Sequence, residues 1–68
     1  MDAATSAYAA LLERLQALDP AHMTPRIKEA RLLNWEHQCG SERGRKTLTD
    51  KVKREIATRE AKKEREEG

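Results

Sequence analysis

The sequence of 68 residues predicts an all-α protein, in which a helical hairpin and a third, longer, partly exposed helix form a small helical bundle. Three observations predict this fold class. Large apolar residues recur at the spacing of a helix in three separate segments. Ten residues are alanines, which favour helices. The two prolines lie where one helix would end and the next would begin.

The first helix is predicted over about residues 4–18. Its apolar stripe consists of side chains at helical spacing, namely Tyr8, Leu11, Leu12, Leu15 and Leu18. Asp2 or Thr5 can cap its first turn. Asp19-Pro20 ends it, because the residue before a proline avoids the α-helical region.

The second helix is predicted to start at Thr24-Pro25 and to run to about Gln38. A threonine hydroxyl at this position accepts a hydrogen bond from a free amide of the first turn. A proline in the next position costs no hydrogen bond, because a backbone N–H at that position would have no partner within the helix. Gly40 is expected to end the helix in the left-handed conformation.

The second helix has two apolar sides, which predicts that it packs on two surfaces. The side expected to face the first helix consists of Ile27, Ala30 and Leu33. The other side consists of Leu32, Trp35 and Cys39. Because the third helix offers too narrow an apolar stripe to cover an indole, we expect Trp35 to face outward and to belong to an interface.

The third helix is predicted to begin near Thr47, which has the spacing of a capping box to Asp50, after a polar turn that starts at Gly40. Its apolar stripe consists of Leu48, Val52 and Ile56. Residues 59–68 contain no large apolar side chain, so we expect a charged helical tail that frays. The predicted organisation is one small helical domain over 1–58 and a tail over 59–68.

The shortage of large apolar side chains bears on function, because a chain of this length buries little surface by itself. We expect further apolar surface to be buried between chains. The sequence therefore predicts a non-enzymatic protein-binding adaptor, inhibitor or regulator that forms a homodimer. The predicted interface residues are Leu32, Trp35, Cys39, Leu48, Val52 and Ile56. The small bundle leaves little volume for a pocket, so we predict no catalytic residue, small-molecule substrate or cofactor.

An alternative function is nucleic-acid binding through residues 43–54, since segment 41–54 carries a net charge of +4. The predicted phosphate contacts are Arg43, Arg45, Lys46, Lys51, Lys53 and Arg54. Three features argue against it. Asp50 lies among the cations, the acidic Glu55 and Glu60 follow them, and no aromatic residue is nearby to stack on bases. The predicted turn is also longer than the three or four residues of a helix-turn-helix.

A weaker alternative starts from Tyr8. The stretch Tyr8-Ala-Ala-Leu-Leu, with Arg26 and Arg31 on the next helix, resembles the LYR-type mitochondrial assembly factors. Those three-helix proteins carry a Leu-Tyr-Arg signature near the first helix. In this chain the tyrosine is present, with alanine on both sides of it. The resemblance implies a role in organelle assembly.

Composition argues against several other classes. A mean hydropathy of −0.97 and the lack of a long apolar run indicate that the chain does not cross a membrane. The single cysteine, Cys39, rules out a disulfide framework and suits a reducing compartment, so we expect a cytoplasmic protein without a secretory signal. His37 and Cys39 do not have the spacing of zinc ligands, so no metal site is predicted.

Overall fold

A computed structural model describes residues 2–38 and 40–67 of the chain. In these residues it contains three α-helices and no strand: α1 (Ala3–Leu18), α2 (Pro25–Gln38) and α3 (Glu42–Glu67). The predicted all-α fold is therefore confirmed. None of the three helices combines the length and the apolar composition needed to cross a membrane.

Helix α1 begins and ends close to where the sequence predicts. The Asp2 carboxylate accepts a hydrogen bond of 2.7 Å from the Thr5 amide and caps the first turn. This backbone hydrogen bond is the main reason why the pKa of Asp2 lies below its usual value. At the other end the Asp19 amide donates to the Leu15 carbonyl at 2.9 Å.

Helix α2 confirms the predicted Thr24-Pro25 start. The Thr24 hydroxyl oxygen accepts a hydrogen bond of 3.2 Å from the Ile27 amide, and Pro25 is the first helical residue. The helix ends at Gln38, also as predicted.

The start of α3 differs from the prediction. The helix begins at Glu42, and the Ser41 hydroxyl caps it by accepting a hydrogen bond of 3.0 Å from the Gly44 amide. Thr47 is helical and donates its hydroxyl to the Arg43 carbonyl at 2.9 Å, so the predicted cap at Thr47 is wrong. Gly40 does not have a positive φ angle, so its predicted left-handed conformation is also wrong. Three positions separate α2 from α3, which removes the turn-length argument against a helix-turn-helix.

Gly44 allows this early start, because a side chain there would collide with the end of α2. A Cβ atom at Gly44 would lie 2.8 Å from the Gln38 carbonyl oxygen and 2.9 Å from the Ser41 hydroxyl. At Gly40 a Cβ atom would meet nothing within 4 Å. The close approach of the two helix ends therefore needs glycine at 44 and not at 40.

We expect Gly44→Ala to lower the free energy of unfolding by about 1 kcal/mol or more, because the strain of overpacking exceeds the usual helical gain of alanine. Gly40→Ala is the matched control and should change it by less than about 0.5 kcal/mol. Urea denaturation of both variants checks this. A Gly44→Ala variant more stable than the parent would show that the helix ends can separate freely.

The three helices pack as an up, down, up bundle. The side chain of Trp35 near the end of α2 contacts Thr5 near the start of α1, while Lys28 near the start of α2 pairs with Glu13. Helix α2 is therefore antiparallel to α1. Helix α3 packs mainly on α1 and runs parallel to it, with the end of α1 lying near Arg59.

The core draws on every helix and on the loop between α1 and α2. Its buried side chains are Tyr8, Leu12, Leu15, Met23, Trp35, Val52 and Ile56. Partly buried leucines surround them, namely Leu11, Leu18, Leu32 and Leu48. The single chain thus encloses a continuous apolar core.

The predicted tail starts with two residues that contact α1. Arg59 pairs with Asp19, and Glu60 pairs with Arg14. Residues 61–66 are exposed, and α3 remains helical through them to Glu67. The domain boundary at residue 58 stays a prediction, but the tail does not lack contacts at its first two positions.

Candidate functional site

Trp35 lies in the core and not on the surface. Its side chain is 1% exposed and stacks on Tyr8, with ring centroids 4.3 Å apart and planes 14° from parallel. Its indole N–H donates a hydrogen bond of 3.0 Å to the Thr5 hydroxyl oxygen. The predicted outward orientation of Trp35 is therefore wrong.

Most of the other predicted interface residues also lie in the core or pack against it. Val52 and Ile56 are buried in the same core, and Leu32 and Leu48 are half-buried against it. Cys39 lies outside the described residues. In the single chain, the described members of the predicted interface therefore pack within or against the core.

The missing element in the prediction was Tyr8. The narrow apolar stripe of α3 is not the only cover for the indole, because the ring of Tyr8 on α1 stacks on it. Thr5 lies three residues before Tyr8, on the same side of α1, and satisfies the indole N–H. The sequence signal that could have predicted a buried Trp35 was the presence of a second aromatic residue, Tyr8, with a hydroxyl group three residues before it.

The apolar side of α2 that faces outward is the side opposite Trp35. Ile27 is 41% exposed and Leu33 is 53% exposed, and Ala30 between them is also exposed. The expectation that these three residues cover α1 is wrong, because the indole of Trp35 turns the other side of α2 inward. We call Ile27, Ala30 and Leu33 the outer face of α2.

A second exposed surface is formed by cations in the first half of α3. Its members are Arg43, Lys46, Lys51, Lys53 and Arg54, all exposed. We call this set the cationic face of α3. Arg45, also predicted as a phosphate contact, is half-buried, and its charge helps to lower the pKa of Asp2. Its side chain is therefore oriented differently from the other five.

Two cations of α2, Lys28 and Arg31, form ion pairs with the neighbouring helices. Arg31 makes two hydrogen bonds to Glu55, at 2.7 and 3.3 Å, in a half-buried pair between α2 and α3. Burial acts against the charge of Arg31, but the Glu55 carboxylate raises the pKa of Arg31 above its usual range. Lys28 and Glu13 pair at 3.2 Å between α2 and α1.

Asp19 connects the end of α1 to α3. Its carboxylate accepts hydrogen bonds from His22 at 2.9 Å and from Arg59 at 3.1 Å. The His22 hydrogen bond, followed by that of Arg59, holds the pKa of Asp19 below its usual value, although desolvation acts in the opposite direction. The ionised form of Asp19 therefore stabilises the fold.

This depressed pKa predicts a pH dependence of stability. The contribution of Asp19 should be fully present above about pH 4, the pKa range of an unperturbed aspartate, and should be lost as the pH falls through the lower pKa of the folded state. Asp19→Asn should therefore lower the Tm at pH 7, and the difference from the parent should shrink toward pH 2. Glu29→Gln, at an exposed position of α2, is the control. A Tm difference for Asp19→Asn that does not change with pH would contradict this account.

Two open clefts lie between α1 and α3. One, of about 530 Å³, lies beside Asp19 and Arg59, and the other, of about 430 Å³, lies beside Ala4, Ala7 and Trp35. Within residues 2–38 and 40–67, no group of three histidine, cysteine, aspartate or glutamate side chains lies close enough to hold a metal ion. The predicted lack of catalysis stays a prediction.

Comparison with known proteins identifies no significant match to this chain. No protein-family model matches the sequence, and neither the curated proteins nor the solved structures show a significant similarity to it.

Proposed function

We propose that this chain is a small non-enzymatic protein-binding bundle that acts through the outer face of α2 and pairs there with a second copy of itself. One observation supports the proposal above all. The two large exposed apolar side chains among the described residues, Ile27 and Leu33, lie on one helix whose opposite side is already in the core. Their exposed surface can be covered only from outside the bundle.

The pattern of the outer face suits a second copy, because it is symmetric about its own centre. Ile27 and Leu33 lie three residues before and after Ala30. In an antiparallel pair of α2 helices related by a two-fold axis at Ala30, Ile27 of each chain faces Leu33 of the other. The small Ala30 side chain lets the two backbones approach closely at the axis, and such an interface closes on itself.

The size of the face implies a weak dimer. Three apolar residues on each side cover much less than the interface of about 800 Å² per partner that stable complexes bury. Weak pairing leaves the same surface available to an apolar helix of another protein at higher affinity. This exchange is how the bundle would act as an adaptor, inhibitor or regulator.

The experiment uses charges placed on the proposed axis. Ala30→Glu and Ala30→Lys should each fold like the parent, because position 30 is exposed and both residues favour helices. Each variant alone should lose self-association in sedimentation velocity, since two like charges would meet at the axis. An equimolar mixture of the two variants should regain it, because unlike charges would then meet.

Ala61→Glu is the matched control, at an exposed alanine of α3 outside the outer face, and it should associate like the parent. Self-association that both Ala30 variants retain would overturn the α2 interface. A parent chain that stays monomeric at millimolar concentration would overturn the homodimer. Failure of the mixture to recover would show that two α2 helices do not meet at Ala30.

A further inference from the structure

We propose that the cationic face of α3 binds the phosphate backbone of duplex nucleic acid without reading its sequence. This activity goes beyond the protein-binding function and uses different residues. The face presents five exposed basic side chains over residues 43–54, with Asp50 as the acidic residue in their midst. At 1.5 Å per residue, it extends for about 17 Å along one helix.

The cations of this face differ in their contacts from four other cations of the chain. Arg14, Lys28, Arg31 and Arg59 each pair with a carboxylate on, or at the end of, another helix. Among the described residues, none of the five side chains of the cationic face forms an ion pair with a carboxylate. These four cations stabilise contacts within the bundle, whereas the five of the cationic face remain available to an external anion.

Spacing within the face adds to this argument. Arg43 and Lys46 are three residues apart, as are Lys51 and Arg54, so like charges lie beside each other on the helix surface. Such pairs destabilise a helix by a few tenths of a kcal/mol each, and Asp50, four residues from both Lys46 and Arg54, offsets only part of this effect. A partner with regularly spaced negative charges would relieve this repulsion at several positions together.

The choice of a duplex follows from the position of the aromatic residues. Tyr8 and Trp35, the two aromatic residues of the chain, are both buried. Neither ring is therefore available to stack on the bases of a single strand, a contact that contributes about 1–3 kcal/mol per base in single-strand binding. Duplex DNA carries one negative charge per about 1.7 Å of axis, so about ten phosphates fall within the length of the face. Contacts to phosphates carry no sequence information.

The test measures fluorescence anisotropy of two labelled 20-base-pair DNA duplexes of unrelated sequence across a series of salt concentrations. We expect equal affinities for both duplexes and a slope of log K against log salt that approaches about −4.5, the value for five neutralised phosphates. The double variant Lys46→Gln, Lys53→Gln should reduce the steepness of this slope by about 1.8, since two contacts are lost.

The matched control is Lys62→Gln, Lys63→Gln, which removes the same charge from exposed positions of α3 outside the face. It should keep the parent slope, and circular dichroism should show that both double variants remain helical. Equal losses in the two double variants would overturn the proposal, because the effect would then follow net charge alone. Tighter binding to a single strand of the same sequence, or binding to vesicles containing phosphatidylserine but not to the duplex, would also overturn it. Ala30→Glu serves as a further variant, since loss of self-association without loss of duplex binding separates the two proposals.

Discussion

Trp35→Ala is expected to unfold most of the bundle. The substitution removes the largest side chain of the core, together with its stacking on Tyr8 and its hydrogen bond to Thr5. Truncation of a buried aromatic residue costs about 3–5 kcal/mol, and a chain of this length has a total stability of about 3–10 kcal/mol. Far-ultraviolet circular dichroism and urea denaturation should therefore show a large loss of helix, or a transition at much lower urea.

Two variants separate the contributions to this effect. Trp35→Phe keeps a ring against Tyr8 but loses the N–H donor to Thr5, so we expect a smaller loss of about 1–3 kcal/mol. Leu33→Ala, on the outer face of α2, should leave the stability of the single chain nearly unchanged. A Trp35→Ala chain that keeps its helix content and its urea midpoint, and loses only association, would restore the original prediction of an exposed indole.

Leu15→Ala is expected to have the next largest effect. Leu15 is almost completely buried in the core, on the stripe of α1 that contacts both other helices. Replacing a buried leucine by alanine removes transfer free energy and leaves a cavity, which together cost about 2–5 kcal/mol. Urea denaturation followed by the fluorescence of Trp35, the single tryptophan of the chain, measures this loss, because Trp35 lies in the same core.

Leu11→Ala is the matched control, since Leu11 lies on the same helix and is only partly buried. The same chemical change there should cost clearly less than at Leu15. Equal effects at the two positions would mean that α1 is rotated about its axis relative to the core described here. The comparison therefore tests the orientation of α1 independently of Trp35.

Local signals in the sequence predicted most of the helix boundaries. Thr24-Pro25 and Asp19-Pro20 act through one hydroxyl group and one ring, so their effects need no knowledge of the rest of the chain. The start of α3 was harder to predict from the sequence, because both Ser41 and Thr47 are able to cap a helix. The structure uses Ser41, which depends on the room that Gly44 leaves beside the Gln38 carbonyl.

The two candidate surfaces differ in how far the sequence could predict them. Five of the six basic residues predicted as phosphate contacts lie exposed on α3, because the periodicity of one helix separates them from its apolar stripe. Arg45 is the exception, since it is half-buried. The predicted protein interface was assigned to the wrong side of α2, because both sides of that helix are apolar.

The sequence by itself determined an all-α chain, the ends of α1 and α2, and the two apolar sides of α2, because these depend on hydrogen bonds and spacing within one segment. Only the tertiary structure decided which side of α2 is buried. That choice depends on the contact between Trp35 and Tyr8, which are 27 residues apart in the chain. Stacking of the two rings encloses the indole within one chain and leaves Ile27 and Leu33 in contact with solvent.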